Sequence, residues 1–284
     1  MNTGLGLPIS EPASLLDWAR RADTGPFTTL GLLDRLVYDN PEQLITLAAI
    51  AGATSRIRVQ TEVLVAPLRD PTLLAKQAAT LDRISGGRFV LGLGVGDARR
   101  QEDLLAAGAD VHSRGRRLDE QMVVMRRIWS GAPYGDDIGP IGPAPARDGG
   151  PEVLFGGFGP AALARVARWG DGFLSASPPA SAGDLFRAVE QVWQRADRSG
   201  TPRLVAQVNV AVGPEDVIDD ARKALTDYYA YTGDPSEIVN GMLTTRAQIR
   251  EAMADFADLG ADEVMLYCWS RDTDQVDRLA DVVA

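Results

Sequence analysis

Three glycines with alternate spacing end one of the segments that the sequence predicts to be a strand. Gly92, Gly94 and Gly96 lie in or just after the run RFVLGLG, which starts at Arg88. Alternate residues of a strand point to the same side, so the three positions leave an opening where a flat ring or another backbone can approach. The alternative is that they relieve crowding inside the fold. The spacing also differs from the GxGxxG pattern of dinucleotide-binding folds, which argues against that site.

A second glycine-rich segment joins a predicted strand to a predicted helix. The strand EVLFGG ends at Gly156 and Gly157, and Gly159 with Pro160 opens the helix. Free backbone N–H groups and the helix dipole at such a start bind anions without lysine or arginine, which suits a phosphate-bearing ligand. The alternative is an ordinary tight turn between strand and helix.

The elements that would hold these segments alternate regularly along the chain. Short β-rich runs and amphipathic helical stretches follow one another, which predicts parallel strands joined by helices. Eight such units can be counted, and roughly 250 residues is typical of a (β/α)8 barrel. The sequence therefore predicts one α/β domain over residues 1–284, a TIM barrel. The strands would be TGLGL, FTTLGLL, IRVQTEVLV, RFVLGLG, EVLFGG, GFLSAS, LVAQVNVAV and EVMLYCW.

Two longer segments interrupt this rhythm. Residues Gly131 to Gly150 are rich in proline and glycine, and residues Gly213 to Thr245 form an oversized connection after the seventh strand. Long connections of this kind are often functional loops. We expect insertions after strands four and seven, and we expect both segments to cover the mouth of the barrel.

Composition narrows the classes of ligand. The net charge of −10 disfavours nucleic acid and anionic membranes, which are bound through clustered lysine and arginine. One cysteine, Cys268, and one histidine, His112, are a poor set of metal ligands, so no metal site is expected. No apolar run approaches the roughly 20 residues that cross a bilayer. We expect a cytoplasmic protein that acts on a small molecule.

Three stretches together resemble a known group of proteins, the luciferase-like monooxygenase superfamily. They are TEVLVAPLRDPTLLAKQAATLDRISGGRFVLGLGVGD, RGRRLDEQMVVMRRIWSG and GGFGPAALARVARWGDGF. That superfamily includes F420-dependent oxidoreductases and FMN-dependent monooxygenases. The resemblance implies a luciferase-like TIM barrel, often a homodimer, with the flavin or deazaflavin ring in the carboxyl-terminal mouth. It also implies a non-prolyl cis peptide against the ring, here at Glu62-Val63.

The same resemblance implies roles for individual residues. Val95, Gly96 and Asp97 would line the cofactor, as would the Glu62-Val63 bulge. Arg114 is a further candidate for the phosphate, although RGRRLDE is equally typical of a solvated helix face on which Arg116 and Glu120 pair. The cofactor phosphate would be held by Gly156, Gly157, Phe158 and Gly159.

Asp34 ends the second strand, where many F420-dependent members carry an Asp-His pair and where it would also contact the cofactor. Arg35 stands in the place of the histidine. In members that oxidise an alcohol the histidine is the general base, so that chemistry does not transfer to this chain. Arg35 could bind an anionic or carbonyl substrate, or form a plain salt bridge.

The leading hypothesis is an F420-dependent oxidoreductase that moves a hydride between the deazaflavin and a small organic substrate. Protons would come from Asp34, Asp97 or solvent. The first alternative is an FMN-dependent monooxygenase. The second is a barrel that binds a cofactor and catalyses no reaction. The missing histidine and a charged Glu62 are compatible with this alternative.

Overall fold

Each of the eight predicted strands lies in one closed parallel sheet in the computed structural model, which describes residues 1–283. The first strand pairs with the second and with the last, and β3 pairs with β5 through Val59 and Phe89, which closes the ring. The chain is therefore a (β/α)8 barrel, as predicted. The strands are β1 (Asn2–Gly6), β2 (Thr29–Leu32), β3 (Arg58–Thr61) with its continuation β4 (Leu64–Val65), β5 (Phe89–Gly94), β6 (Glu152–Gly156), β7 (Gly172–Ser175), β8 (Arg203–Val210) and β9 (Glu263–Cys268).

The helices surround this sheet, and the longer ones bury one face each. In α1, for example, Leu15, Trp18, Ala19 and Ala22 are buried, which is the spacing of one helical face. The strand β5 is buried along its whole length, as expected of a parallel sheet covered by helices. The helices are α1 (Pro12–Thr24), α2 (Gln43–Ala53), α3 (Pro71–Ile84), α4 (Gln101–Ala106), α5 (Arg114–Trp129), α6 (Pro160–Trp169), α7 (Pro179–Arg195), α8 (Glu215–Tyr229), α9 (Ser236–Asn240), α10 (Arg246–Asp258) and α11 (Gln275–Val283).

Insertions follow the fourth and seventh strands of the barrel. The short helix α4 follows β5, and α8, α9 and a 3-10 helix at Ala230–Thr232 follow β8. Both insertions start at the carboxyl ends of strands, so they lie at the mouth of the barrel. The insertion after the seventh strand is the one predicted, whereas the sequence assigned the insertion after the fourth strand to residues 131–150 and not to α4. Among residues 1–283, no helix is long and apolar enough to cross a membrane.

The prediction that residues 131–150 cover the mouth is wrong. This segment joins the end of α5 to the start of β6, so it begins and ends at the amino side of the barrel. It packs along α3 instead: Lys76 donates to the carbonyl of Gly142 at 2.7 Å, and Asp82 accepts the N–H group of Ala146 at 2.7 Å. None of its residues lines the cleft at the mouth.

Candidate active site

A cleft of about 680 Å³ opens at the carboxyl ends of the strands, where TIM barrels place their active sites. It brings together every residue that the sequence analysis assigned to the site. These residues are Asp34, Glu62, Val63, Val95, Gly96, Asp97, Arg114, Gly156, Gly157, Phe158 and Gly159.

A second cleft of about 370 Å³ lies near the opposite end, among Arg126, Arg147, Arg168 and Arg198. Its arginines are largely committed to the protein itself. Arg126 and Arg198 donate to main-chain carbonyls, and Arg147 pairs with Asp171 at 3.2 Å. None of the predicted site residues lies there, so we place the functional site in the larger cleft.

The peptide between Glu62 and Val63 is cis, as the resemblance implied, and it separates β3 from β4. The side chain of Val63 faces the glycine positions of the neighbouring strands. A Cβ atom added at Gly94 would lie 2.7 Å from Val63 Cγ2, and one added at Gly156 would lie 3.1 Å from Val63 Cγ1. A Cβ atom added at Gly96 would lie 2.9 Å from Val65.

The alternating glycines therefore make room for this bulged segment rather than leaving an opening. At Gly92 an added Cβ would overlap the carbonyl oxygen of Thr61. Of the two interpretations of the glycine spacing, relief of crowding is the one found. Because these glycines have no side chain, Val63 can lie at the edge of the cleft.

The loop before α6 has the features of an anion site. Its helix begins at Pro160 without a side-chain cap, and the N–H groups of Phe158 and Gly159 donate to no acceptor within residues 1–283. Gly157 has a φ of +138°, which only glycine adopts readily. A Cβ added at Gly159 would meet open space. Free N–H groups at a helix start favour a phosphate or carboxylate here.

Arg114 is the side chain that the sequence assigned to assist this loop. It lines the cleft at the start of α5, and its guanidinium donates to the carbonyl of Val111. Its Nε atom is buried and has no acceptor among the described residues. The helix-face alternative holds for its neighbours, because Arg116 and Glu120 approach within 3.8 Å on the exposed side.

Asp34 is buried and fully engaged by donors. Arg69 contacts both of its carboxylate oxygens, at 2.7 and 2.9 Å, and the N–H group of Val65 donates to it at 2.8 Å. Such a bidentate pair fixes geometry as well as charge. Asp34 thereby anchors β4 and the segment that follows the cis peptide.

Arg35 forms the salt bridge that the sequence left open. Its Nε donates to Asp103 at 2.9 Å, and its Nη2 approaches Glu102 at 3.2 Å. Asp103 also accepts the N–H groups of Leu36 and Val37. Arg35 is therefore committed to holding α4 against the end of β2.

Asp97 lies at the rim of the cleft and keeps its charge. Arg99 contacts it at 2.7 Å, and the hydroxyl of Tyr231 donates to it at 3.3 Å. Partial burial alone would raise the pKa of Asp97, but the hydrogen bonds from Arg99 and Tyr231 outweigh it and lower the pKa. At neutral pH this group is ionised and can accept hydrogen bonds, while its lowered pKa makes it a weak base.

Glu62 differs from the charged residue that the sequence suggested. Its carboxyl is buried, Gln60 donates to Oε1, and Oε2 has no partner among residues 1–283. Burial raises the pKa of Glu62 to about 8, which leaves it protonated at neutral pH. A neutral carboxyl can donate a hydrogen bond or a proton, which an ionised one cannot.

One wall of the cleft was missed by sequence reasoning. Arg100, at the start of α4, lies against Tyr228, Tyr229 and Tyr231 from the insertion after β8. The run DYYAY at residues 227–231 is a sequence signal for an aromatic surface. Nothing in the sequence distinguished Arg100 from Arg99, its neighbour.

Comparison with known proteins places the chain in a family. The family model described as luciferase-like monooxygenase matches residues 2–262. A protein of Mycobacterium tuberculosis is 31% identical over 170 residues, which cover 57% of this chain and 59% of that protein. The F420-dependent glucose-6-phosphate dehydrogenase of Nakamurella multipartita is 31% identical over 204 residues, 66% of this chain and 60% of that enzyme. The chain thus spans about three fifths of the length of these relatives.

Solved structures agree on the fold. An F420-dependent secondary alcohol dehydrogenase in complex with an F420-acetone adduct has a TM-score of 0.79 at 18% identity, covering 99% of this chain and 97% of that one. The oxygenating constituent of 3,6-diketocamphane monooxygenase from Pseudomonas putida, in complex with FMN, has a TM-score of 0.70 at 17% identity over 100% and 98% of the two chains. From its fold and the match over residues 2–262, this chain belongs to the luciferase-like monooxygenase family.

Proposed function

We propose that the protein is an F420-dependent oxidoreductase that moves a hydride between the deazaflavin and a small organic substrate. The observation that carries the proposal is that one cleft contains both an anion site and an apolar surface. The anion site is the loop Gly157–Gly159 with Arg114, and the apolar surface is formed by Val63 and Val95. These residues fit a ligand that has a phosphate at one end and a flat ring at the other.

Sequence identity gives F420 a modest preference. The relative named for F420 matches at 31% identity over 66% of this chain, and a relative named as a monooxygenase matches at 26% over 77%. The glucose 6-phosphate in that relative's name does not carry over, because the match covers 60% of that enzyme.

When bound, F420 would supply the hydride acceptor or donor. The chain's own residues would do the rest. The N–H groups of Phe158 and Gly159, with Arg114, would hold the phosphate, while Val63 and Val95 would support the ring. The tyrosines of the insertion after β8 would cover the cleft and exclude water.

Two acidic residues have complementary hydrogen-bonding roles in this proposal. Asp97 is ionised at the rim, so it would accept a hydrogen bond from a substrate hydroxyl, as it does from Tyr231. Asp34 remains a candidate from the sequence, but both of its oxygens are held by Arg69, which favours a positioning role for the cis-peptide segment. Glu62, protonated under the cleft, is the better placed hydrogen-bond donor.

The experiment is titration of the purified protein with F420 and, separately, with FMN, following cofactor fluorescence. Micromolar binding of F420 with weaker binding of FMN is expected. Preference for FMN would move the chain to the monooxygenase function. Binding of a cofactor that no substrate reduces or reoxidises would favour the barrel without turnover, and failure to bind either cofactor would reject both enzyme functions.

A further inference from the structure

Arg100 is buried, and of the arginines that line the cleft it lies closest to aromatic rings. The residue is 8% exposed and lines the cleft at the start of α4. Its guanidinium carbon lies 3.8 Å from the ring centre of Tyr231 and 4.4 Å from that of Tyr228. Stacking of this kind holds a guanidinium in place while leaving its N–H groups free to face a ligand.

No carboxylate of the described residues neutralises this charge. Among residues 1–283, the other arginines at the mouth have acidic partners: Arg35 with Asp103, Arg69 with Asp34, Arg99 with Asp97 and Arg165 with Asp119. Arg100 forms no salt bridge there. Arg114 shares this lack of a partner, but it lies beside the loop that we assign to the cofactor phosphate.

The hydrogen bonds of Arg100 are also largely unmade. A guanidinium has five N–H donors. In the described residues one side-chain bond is found, from Nη2 to the carbonyl of Tyr228 at a long 3.4 Å, and Nε is buried without an acceptor. Burying a charge with its donors unsatisfied is costly, and binding sites are where that cost is offset by a ligand.

We propose that Arg100 binds the carboxylate of the substrate, so that the protein acts on a small organic acid whose unsaturated body lies against Tyr229 and Tyr231. This inference deepens the proposed function and rests on it. A carboxylate fits because its plane and two oxygens match the guanidinium fork. A monoanion also fits, because Arg100 supplies a single positive charge and the nearby acidic residues already have partners.

The test measures binding of benzoate, of its neutral isostere benzamide and of inorganic phosphate by calorimetry, with and without bound cofactor. The wild-type protein should bind benzoate about tenfold or more tightly than benzamide, the difference that a charge-assisted pair provides. Arg100→Met should remove that preference while leaving benzamide binding and cofactor binding unchanged. Arg100→Lys, which keeps the charge and loses the paired N–H groups of the guanidinium, should retain part of the preference for benzoate.

Arg116→Met is the matched control, because it removes the same charge from an exposed position on α5 and should leave benzoate affinity unchanged. Equal affinity for benzoate and benzamide, or full benzoate affinity in a folded Arg100→Met variant, would overturn the proposal. If Arg100→Met loses cofactor binding together with benzoate binding, Arg100 binds the cofactor instead. If wild type binds phosphate and Arg100→Met does not, the ligand group of Arg100 is a phosphate and not a carboxylate. A protein that binds neither cofactor but keeps Arg100-dependent benzoate binding would reject the proposed function alone.

Discussion

At the amino end of the barrel Arg203 lies between two glutamates, whereas at the carboxyl end Arg100 lies between tyrosine rings and contacts no carboxylate of residues 1–283. Arg203 contacts Glu152 at 2.8 Å and also pairs with Glu263, which is completely buried. Arg58 pairs with the other oxygen of Glu152. These side chains come from the first residues of β3, β6, β8 and β9, so they close the floor of the barrel.

This difference in partners distinguishes an arginine that stabilises the fold from an arginine that is available to bind a ligand. At the floor each of these charges contacts an opposite charge from another strand, and the network links four strands together. At the mouth the surrounding groups hold Arg100 by stacking, which fixes the side chain without neutralising it. Burial alone does not distinguish the two roles; the partners do.

The largest expected effect compares the same substitution at the two ends. Arg203→Met leaves Glu263 buried without its cation, so the free energy of unfolding should fall by about 3–5 kcal/mol. Arg100→Met removes a desolvated charge and keeps most of the contact with the tyrosine rings, so it should change stability by less than about 1 kcal/mol. Urea unfolding followed by circular dichroism measures both. Similar losses for the two variants would contradict the distinction.

A second comparison uses the buried glutamates of the two ends and pH. The pKa of Glu62 is raised by burial from 4.5 to about 8, so the unfolded chain releases this proton at a lower pH than the folded protein does. The stability contributed by protonated Glu62 is complete below pH 4.5 and is lost as the pH rises through 8. Glu62→Gln should remove that loss and gain roughly 2–4 kcal/mol relative to wild type near pH 8.

Glu263→Gln is the matched control for this pH effect. It removes one of the two carboxylates paired with Arg203 and leaves Glu152, so it should destabilise the protein near neutral pH instead of stabilising it. Unfolding free energies measured in urea from pH 5 to pH 9 give both curves. If Glu62→Gln and wild type run parallel over that range, Glu62 does not titrate as its burial implies.

Much of the fold could be predicted because its signals are local. The eight strands follow from β-rich runs between amphipathic helices, and the glycine-rich loop before α6 follows from the residues Gly156–Pro160. The resemblance placed the cis peptide at Glu62-Val63, where it is found. The prediction for residues 131–150 was wrong because the length of a loop does not indicate its end of the barrel; a helix-to-strand connection lies at the amino end.

Pairing between distant side chains could not be predicted in the same way. The sequence drew attention to Arg35 and not to Arg100, yet Arg35 forms a salt bridge with Asp103 of α4, while Arg100 lies against the tyrosines that follow β8 and forms no salt bridge within residues 1–283. Which partner each finds depends on how two insertions approach the mouth, and no periodicity encodes that. The protonation of Glu62 depends likewise on the surrounding barrel interior.

The smallest expected effect tests whether the open space at the mouth belongs to a ligand. An added Cβ at Gly159 meets nothing within 4 Å, and the φ of −95° there is one that alanine adopts, so Gly159→Ala should leave stability unchanged or slightly raised. If a cofactor phosphate lies against this loop, the new methyl group should weaken F420 binding by about tenfold, the cost of one crowded contact at the site. Gly139→Ala is the control, because its Cβ also meets open space but lies in the segment packed along α3. Fluorescence titration measures the F420 affinity of both variants. Equal affinities would place the phosphate elsewhere. A loss confined to Gly159→Ala would show that the open space at the mouth is occupied by the ligand, whereas the floor is filled by side chains that stabilise the fold.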